Sequence, residues 1–338
     1  MSKTILVTGC CGFIGFHTCL KLLKNKENKI IGIDNLNNYY DTKLKKDRLR
    51  ILKNKKLKFY KIDIKNFFIL EKIFSKYRPH YVINLAAQAG VRMSIKKSRV
   101  YLDANIIGFY NVIELSAKYK IKHFLYASSS SVYGLNNSYP FKEFDITDHP
   151  ISFYAATKKC NEILAHYYSY KDKLPTTGLR FFTVYGPYGR PDMSMFIFVK
   201  NILNNKKINV FNYGDMARDF TYVEDVANSI IKLIPKIPKK NNKFSLKNPR
   251  SDRSKFPFRI LNIGNSKQIS LSKYIKLIEM NLSKKSKINF KKLQFGDIKK
   301  TLSNSNELYK IISYKPETKI ETGISKFIEW YKSYYKIK

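Results

Sequence analysis

The seven residues Gly9-Cys10-Cys11-Gly12-Phe13-Ile14-Gly15 lie between an apolar run, Thr4–Thr8, and a helical pattern over residues 12–24. Glycines at this spacing let a strand turn sharply into a helix and bring backbone close to a ligand. The helix N-terminus so exposed attracts a pyrophosphate. The spacing is G-x-x-G-x-x-G, not the commoner G-x-G-x-x-G, and glycine-rich turns also serve packing alone. The flanking pattern narrows the choice. Apolar runs at 30–34, 58–62, 81–86, 123–128 and 176–182 alternate with helical patterns at 42–54, 67–76, 101–118 and 154–170. Near-continuous apolar strands separated by helices predict an α/β fold built on a doubly wound parallel sheet.

Length allows two domains. Residues 1–182 read as a dinucleotide-binding Rossmann domain and 183–338 mainly as a smaller, substrate-binding one. Later strands near 209–229 and 258–264 are expected to return to the first. Residues 236–257, rich in Lys, Asn, Ser and Pro, read as an exposed insertion, and 321–335 as an amphipathic helix.

Charge is extreme, with 64 Lys and Arg against 25 Asp and Glu, a net +39. The excess is mostly Lys, spread along the chain together with many Asn, Ile, Tyr and Phe. These residues share A/T-rich codons, and no nucleic-acid-binding module is recognisable. No nucleic-acid partner is therefore expected, although such a surface attracts phosphorylated substrates. No run of ~18 apolar residues suggests a membrane span. The strand pattern begins at once, leaving no room for a signal peptide. Cys10, Cys11, Cys19 and Cys160 have no metal-ligand or disulfide spacing, so no metal is expected and a reducing, cytoplasmic setting is.

Asp34 closes the second strand run, nineteen residues after Gly15. A carboxylate there accepts hydrogen bonds from an adenosine ribose and repels a 2′-phosphate, which selects NAD over NADP. Asp63-Ile64 and Leu85-Ala86-Ala87-Gln88 end the next two runs. Tyr154 and Lys158 share a helix face, and an ammonium beside a phenol lowers its pKa and makes a base of it. In a Lys-rich chain the same spacing also describes an ordinary surface pair. Ser128 to Ser131, before Val132-Tyr133-Gly134, place hydroxyls at the end of the fifth strand.

In order, these motifs resemble the extended short-chain dehydrogenase/reductase family of nucleotide-sugar epimerases and dehydratases, over essentially the whole chain. Several segments are most similar to its UDP-glucuronate 4-epimerase branch: Ile33 to Asp41, Ala86 to Arg92, Leu179 to Asp192, Arg218 to Tyr222 and Thr322 to Tyr331. The resemblance implies Tyr154 as base, with Lys158 and Ser129 as its catalytic partners. It implies NAD on Gly9, Gly12, Phe13, Ile14, Gly15, Asp34, Asn35, Asp63, Ile64, Ala86, Ala87 and Asn105, with Tyr154 and Lys158 at the nicotinamide ribose. A UDP-sugar would meet Arg92, Ser129, Ser130, Ser131, Tyr154, Thr183, Arg190 and Arg218.

Two departures stand out. Cys10 and Cys11 replace small residues of the glycine turn, and Ser303-Asn304 stands where the family often has Ala-Asp. Dehydratases carry Asp-Glu beside the catalytic hydroxyl, where this chain has Ser130-Ser131. That argues against dehydration, and the resemblance implies 4-epimerisation of a UDP-hexuronate. The alternatives are a UDP-glucose or UDP-N-acetylglucosamine 4-epimerase or a nucleotide-sugar dehydratase, while intact Ser129, Tyr154 and Lys158 speak against a non-enzymatic NAD- or RNA-binding protein. Relatives pair the helices matching 101–118 and 154–170, so a homodimer is expected.

Overall fold

The computed structural model describes residues 3–55 and 57–337. Strand β1 (Thr4–Thr8) lies between β2 (Lys29–Asp34) and β4 (Tyr81–Asn84). β3 (Lys58–Lys61) continues the sheet beyond β2, and β5 (His123–Ser129), β6 (Thr176–Phe181) and β10 (Phe258–Ile263) continue it beyond β4. The seven-stranded order is β10-β6-β5-β4-β1-β2-β3, and every pair is parallel. Strand order reverses at β1, so a crevice opens where β1 and β4 end, which is where such sheets bind ligands.

Apolar side chains on the two sheet faces build two cores. On one, Phe16 and Cys19 of α1 (Phe13–Leu22) meet Val226 and Ile230 of α9 (Val223–Leu233). On the other, Phe74 of α3 (Phe67–Tyr77) joins Val112 of α6 (Gly108–Lys118) and Tyr168 of α7 (Phe153–Lys171). Ser152 caps α7, its hydroxyl accepting from Ala155 N at 3.1 Å. Such a cap contributes about 1 kcal/mol and fixes where the helix carrying Tyr154 begins. A third core joins α8 (Ser194–Leu203), α10 (Leu271–Leu282) and α12 (Ile320–Tyr335).

Three sequence expectations change. The stretch around 209–229 adds no strand to the large sheet. β8 (Lys207–Phe211) pairs instead with β12 (Lys287–Lys291), and β9 (Ala217–Tyr222) with β7 (Thr183–Tyr185) and β11 (Gln268–Ser270). Only α9 from that stretch reaches the sheet, through its apolar face on α1. The helix expected over 101–118 is broken. A short α5 (Ser98–Tyr101) runs into a widened π turn at Leu102–Ile107 before α6. Gly108 follows that turn because a Cβ there would stand 2.6 Å from Ile64 Cγ1. The insertion at 236–257 is exposed and mostly irregular, but Asp252 inside it is buried between Arg250 and Arg253. No helix among the described residues is long and apolar enough to cross a membrane.

Two buried histidines predict an acid sensitivity. His17 meets Pro187 O at 2.8 Å, and His123 meets Ile234 O at 3.0 Å and Thr177 Oγ1 at 2.7 Å. Burial pushes their pKa values down to about 4 and about 3 respectively. Both stay neutral in the fold, while the unfolded chain protonates them near pH ~6.5. The unfolded state thus binds more protons below that pH, and stability falls as pH drops from about 6.5 toward 4. Thermal melting at pH 7, 6 and 5 should show this fall, and His123→Gln should make it shallower. Identical slopes would show that His123 does not contribute.

Candidate active site

The β1–α1 turn is shaped by steric need. Gly9 has φ +69°, and a Cβ on it would stand 2.7 Å from Ala86 N; one on Gly15 would stand 2.1 Å from Gly9 O. Gly12 caps α1 without any side-chain bond, so the first amides of the helix have no local acceptor. These glycines, with Phe13 and Ile14, face a cavity of about 840 Å³ at the crevice. Asp34 stands at the end of β2 on the same wall. Its Oδ2 accepts from Cys11 N at 3.0 Å and its Oδ1 from Leu36 N at 2.8 Å. Burial raises its pKa, while Leu36 N, Lys45, Cys11 N and Arg48 pull it down. A carboxylate oxygen with one bond made keeps a lone pair for a ribose hydroxyl. Asn35 Nδ2 donates to Asp63 Oδ2 at 3.0 Å, and Ile64, Ala86 and Ala87 complete this side. An uncapped helix N-terminus, glycines that tolerate no side chain and a carboxylate at the ribose position fit a dinucleotide without a 2′-phosphate.

Asn105 is not on the cavity wall. It is buried behind it, its amide bonding Gln88 N at 2.8 Å, Gln88 O at 3.0 Å and Thr157 Oγ1 at 3.0 Å. It therefore acts on the cavity through Gln88, a lining residue outside the expected set.

Ser129 ends β5, and Tyr154 and Lys158 face the same cavity from α7. Lys158 donates to Ala127 O at 2.9 Å, and its Nζ lies 6.0 Å from the centre of the Tyr154 ring. Burial lowers the Lys158 pKa to about 8. Burial also raises the Tyr154 pKa, while a hydrogen bond with Ser129 and the charge of Arg190 oppose the rise. The lowered phenol pKa that the Tyr154–Lys158 spacing suggests is not what the structure gives, because burial outweighs the opposing groups. The groups in place to favour the phenolate are Ser129 and Arg190.

Beyond this cluster, Ser130, Ser131 and Thr183 line the wall. Arg190 is already paired: Nε donates to Asp192 Oδ1 at 3.0 Å and Nη2 to Asp192 Oδ2 at 2.5 Å, while Tyr39 Oη donates to Asp192 at 3.2 Å. Further along, Arg218 Nη1 donates to Lys299 O at 2.8 Å, and Arg92 pairs with Asp297 at 3.0 Å. Burial lowers the Arg218 pKa, and Asp297 partly restores it. Tyr39, Asp192 and Asp297 were not anticipated as site residues. Asp192 lies only two positions beyond Arg190, but nothing in that spacing says whether its carboxylate turns back onto the guanidinium. The thiols of Cys10 and Cys11 are 3.8 Å apart beside Asp34, the only such group of potential metal ligands among the described residues. Burial pushes the Cys10 thiol up.

A parallel sheet with a glycine turn at its switch point and a Ser–Tyr–Lys cluster opposite is the arrangement of a nicotinamide-dependent enzyme. The pattern of the NAD dependent epimerase/dehydratase family matches residues 5–246, and the chain belongs to that family. It is 48% identical to protein CapI of Staphylococcus aureus, over 98% of this chain and 99% of that one. It is 38% identical to a probable UDP-glucuronate 4-epimerase of Rhizobium meliloti, over 98% and 97%. The UDP-glucuronic acid 4-epimerase of Bacillus cereus, solved with UDP-glucuronic acid and NAD, superposes with a TM-score of 0.87 at 31% identity, covering 98% of this chain and all of that one.

Two substitutions test this site. Tyr154→Phe removes the phenolic oxygen and should reduce turnover by at least ~10²-fold while leaving bound NAD in place; near-wild-type kcat would exclude Tyr154 as the base. Asp34→Ser should narrow the preference for NAD over NADP, read by reconstituting apoprotein with each. An unchanged preference would remove Asp34 from the ribose site.

Proposed function

We propose that the chain is a UDP-hexuronate 4-epimerase that interconverts UDP-glucuronate and UDP-galacturonate. In this reading residues 1–182 mainly hold NAD, 183–338 mainly hold the UDP-sugar, and two copies pair through the exposed apolar side chains of α6 and α7, among them Tyr110, Ile163 and Tyr167. The observation that carries it is the shared cavity, in which the Ser129–Tyr154–Lys158 cluster adjoins a rim of hydroxyls and one arginine suited to a carboxylate.

Tyr154 Oη takes the proton from the sugar 4-hydroxyl, and Ser129 holds the same oxygen by a hydrogen bond. NAD supplies, when bound, the ring that accepts the C4 hydride and later returns it. Tyr154 then gives the proton back once the 4-keto sugar has presented its other face, so C4 is inverted with no net oxidation. Lys158, fixed on Ala127 O, is held where the nicotinamide ribose would lie.

A 4-keto uronate is a β-keto acid and can lose CO₂. Ser129, Ser130, Ser131, Thr183 and Arg190 line the space in which its carboxylate would be held. A bond from Arg190 would contribute about 1.5–3 kcal/mol. Arg218 and Arg92 stand ready for the diphosphate, where a guanidinium fork bonds two oxygens at once. The pairing of Arg190 with Asp192 favours a second reading, a UDP-hexose 4-epimerase, because a neutralised guanidinium also tolerates an uncharged sugar.

Incubation with UDP-glucuronate, UDP-glucose and UDP-N-acetylglucosamine, followed by product separation, distinguishes the two. The uronate should be preferred, and Arg190→Ala should raise KM for UDP-glucuronate far more than for UDP-glucose. Equal effects would deny Arg190 the carboxylate. Turnover of UDP-glucose without UDP-glucuronate would establish the hexose reading instead.

A further inference from the structure

Arg48, on α2 (Thr42–Lys53), is fully buried. Among the described residues no carboxylate lies within ion-pair distance of it. Its Nη1 donates to Cys11 O at 2.8 Å and to Tyr40 Oη at 2.7 Å; its Nη2 donates to Tyr188 O at 2.6 Å and, more weakly, to Gly189 O at 3.4 Å. Nε has no partner. A buried cation whose hydrogen bonds all go to neutral acceptors, with the charge of Asp34 felt but not paired, is costly to keep.

The acceptors belong to two parts of the site. Cys11 is in the middle of the glycine turn. Tyr188 and Gly189 directly precede Arg190 at the sugar end. Other contacts fasten the same segment to the cofactor side: His17 meets Pro187 O at 2.8 Å, and Tyr39 donates to Asp192 at 3.2 Å. The Tyr188 ring packs 4.9 Å from Phe16 of α1. Arg48 itself is absent from the cavity wall, so it touches neither ligand site directly.

We propose that Arg48 is a positioning residue that couples the glycine turn to the Arg190 segment, so that cofactor and UDP-sugar each strengthen the retention of the other. The proposal rests on the functional reading above. A guanidinium that bridges two backbone segments lets a displacement at one be felt at the other, and any such coupling is reciprocal. Lysine cannot replace it, because one ammonium lacks the planar fork that spans both carbonyls.

The test is the rate of NAD loss from holoprotein after dilution, with and without saturating UDP or UDP-glucuronate. In the wild type the nucleotide should slow this loss. In Arg48→Met and Arg48→Lys the slowing factor should shrink by about fivefold or more, and KM for UDP-glucuronate should rise more than kcat falls. A role in stability alone would lower the melting temperature but leave the slowing factor unchanged, and that result would overturn the coupling. Should both variants fail to fold, hydrogen exchange on the wild type decides. Adding UDP-glucuronate should slow exchange across α2, and no change there would overturn the proposal. A holoprotein that binds no UDP at all would defeat the functional reading and the coupling together, whereas equal slowing factors defeat the coupling alone.

Discussion

A buried ion pair fixes the distance between the two halves of the Ser129–Tyr154–Lys158 cluster. Arg180 of β6 grips Glu162 of α7 with two bonds, at 2.8 and 2.9 Å, and Ser128 of β5 donates to the same carboxylate at 2.6 Å. Arg180 and Ser128 are register partners across the sheet. The pair therefore welds α7 to the ends of β5 and β6. Ser129 is one residue from Ser128, and Lys158 is one helical turn from Glu162. Breaking such a pair by removing one member typically costs about 3–5 kcal/mol. Here the loss would also release Tyr154 from Ser129.

That fastening makes the crevice a reaction site. The turn after β1, the serines after β5 and the face of α7 come from stretches far apart in the chain. Parallel pairing brings their ends to one edge of the sheet. The positive ends of the cavity, Arg190 and Arg218, come from outside the seven-stranded sheet. Their charges are tempered by Asp192 and Asp297, which in the proposed reading suits a pocket that holds a diphosphate and still releases it.

Much of this was legible in the sequence because it depends on local chemistry. Strand β1, the glycine turn, Asp34 at the end of β2 and the i, i+4 spacing of Tyr154 and Lys158 all follow from short-range patterns. The small sheets were not legible, since β8 pairs with β12 from a distant part of the chain and no local pattern specifies that partner. Asn105 illustrates the same limit: the family resemblance implied a cofactor contact, but tertiary packing turns its amide onto Gln88. The Tyr154 pKa differs too, because burial outweighs a neighbouring charge whose distance no sequence reveals. Arg48 is one cation among 64 Lys and Arg in the sequence, and only its bonds show it spanning Cys11 and Tyr188.

The central assignment is an oxidation and re-reduction at one carbon within one closed site. It is tested most directly by giving the purified holoprotein UDP-glucuronate that carries deuterium at C4, in ordinary water and without added cofactor. UDP-galacturonate with the deuterium still on C4 is the result this chemistry predicts. Loss of the label to water, or a pentose nucleotide as the main product, would contradict it.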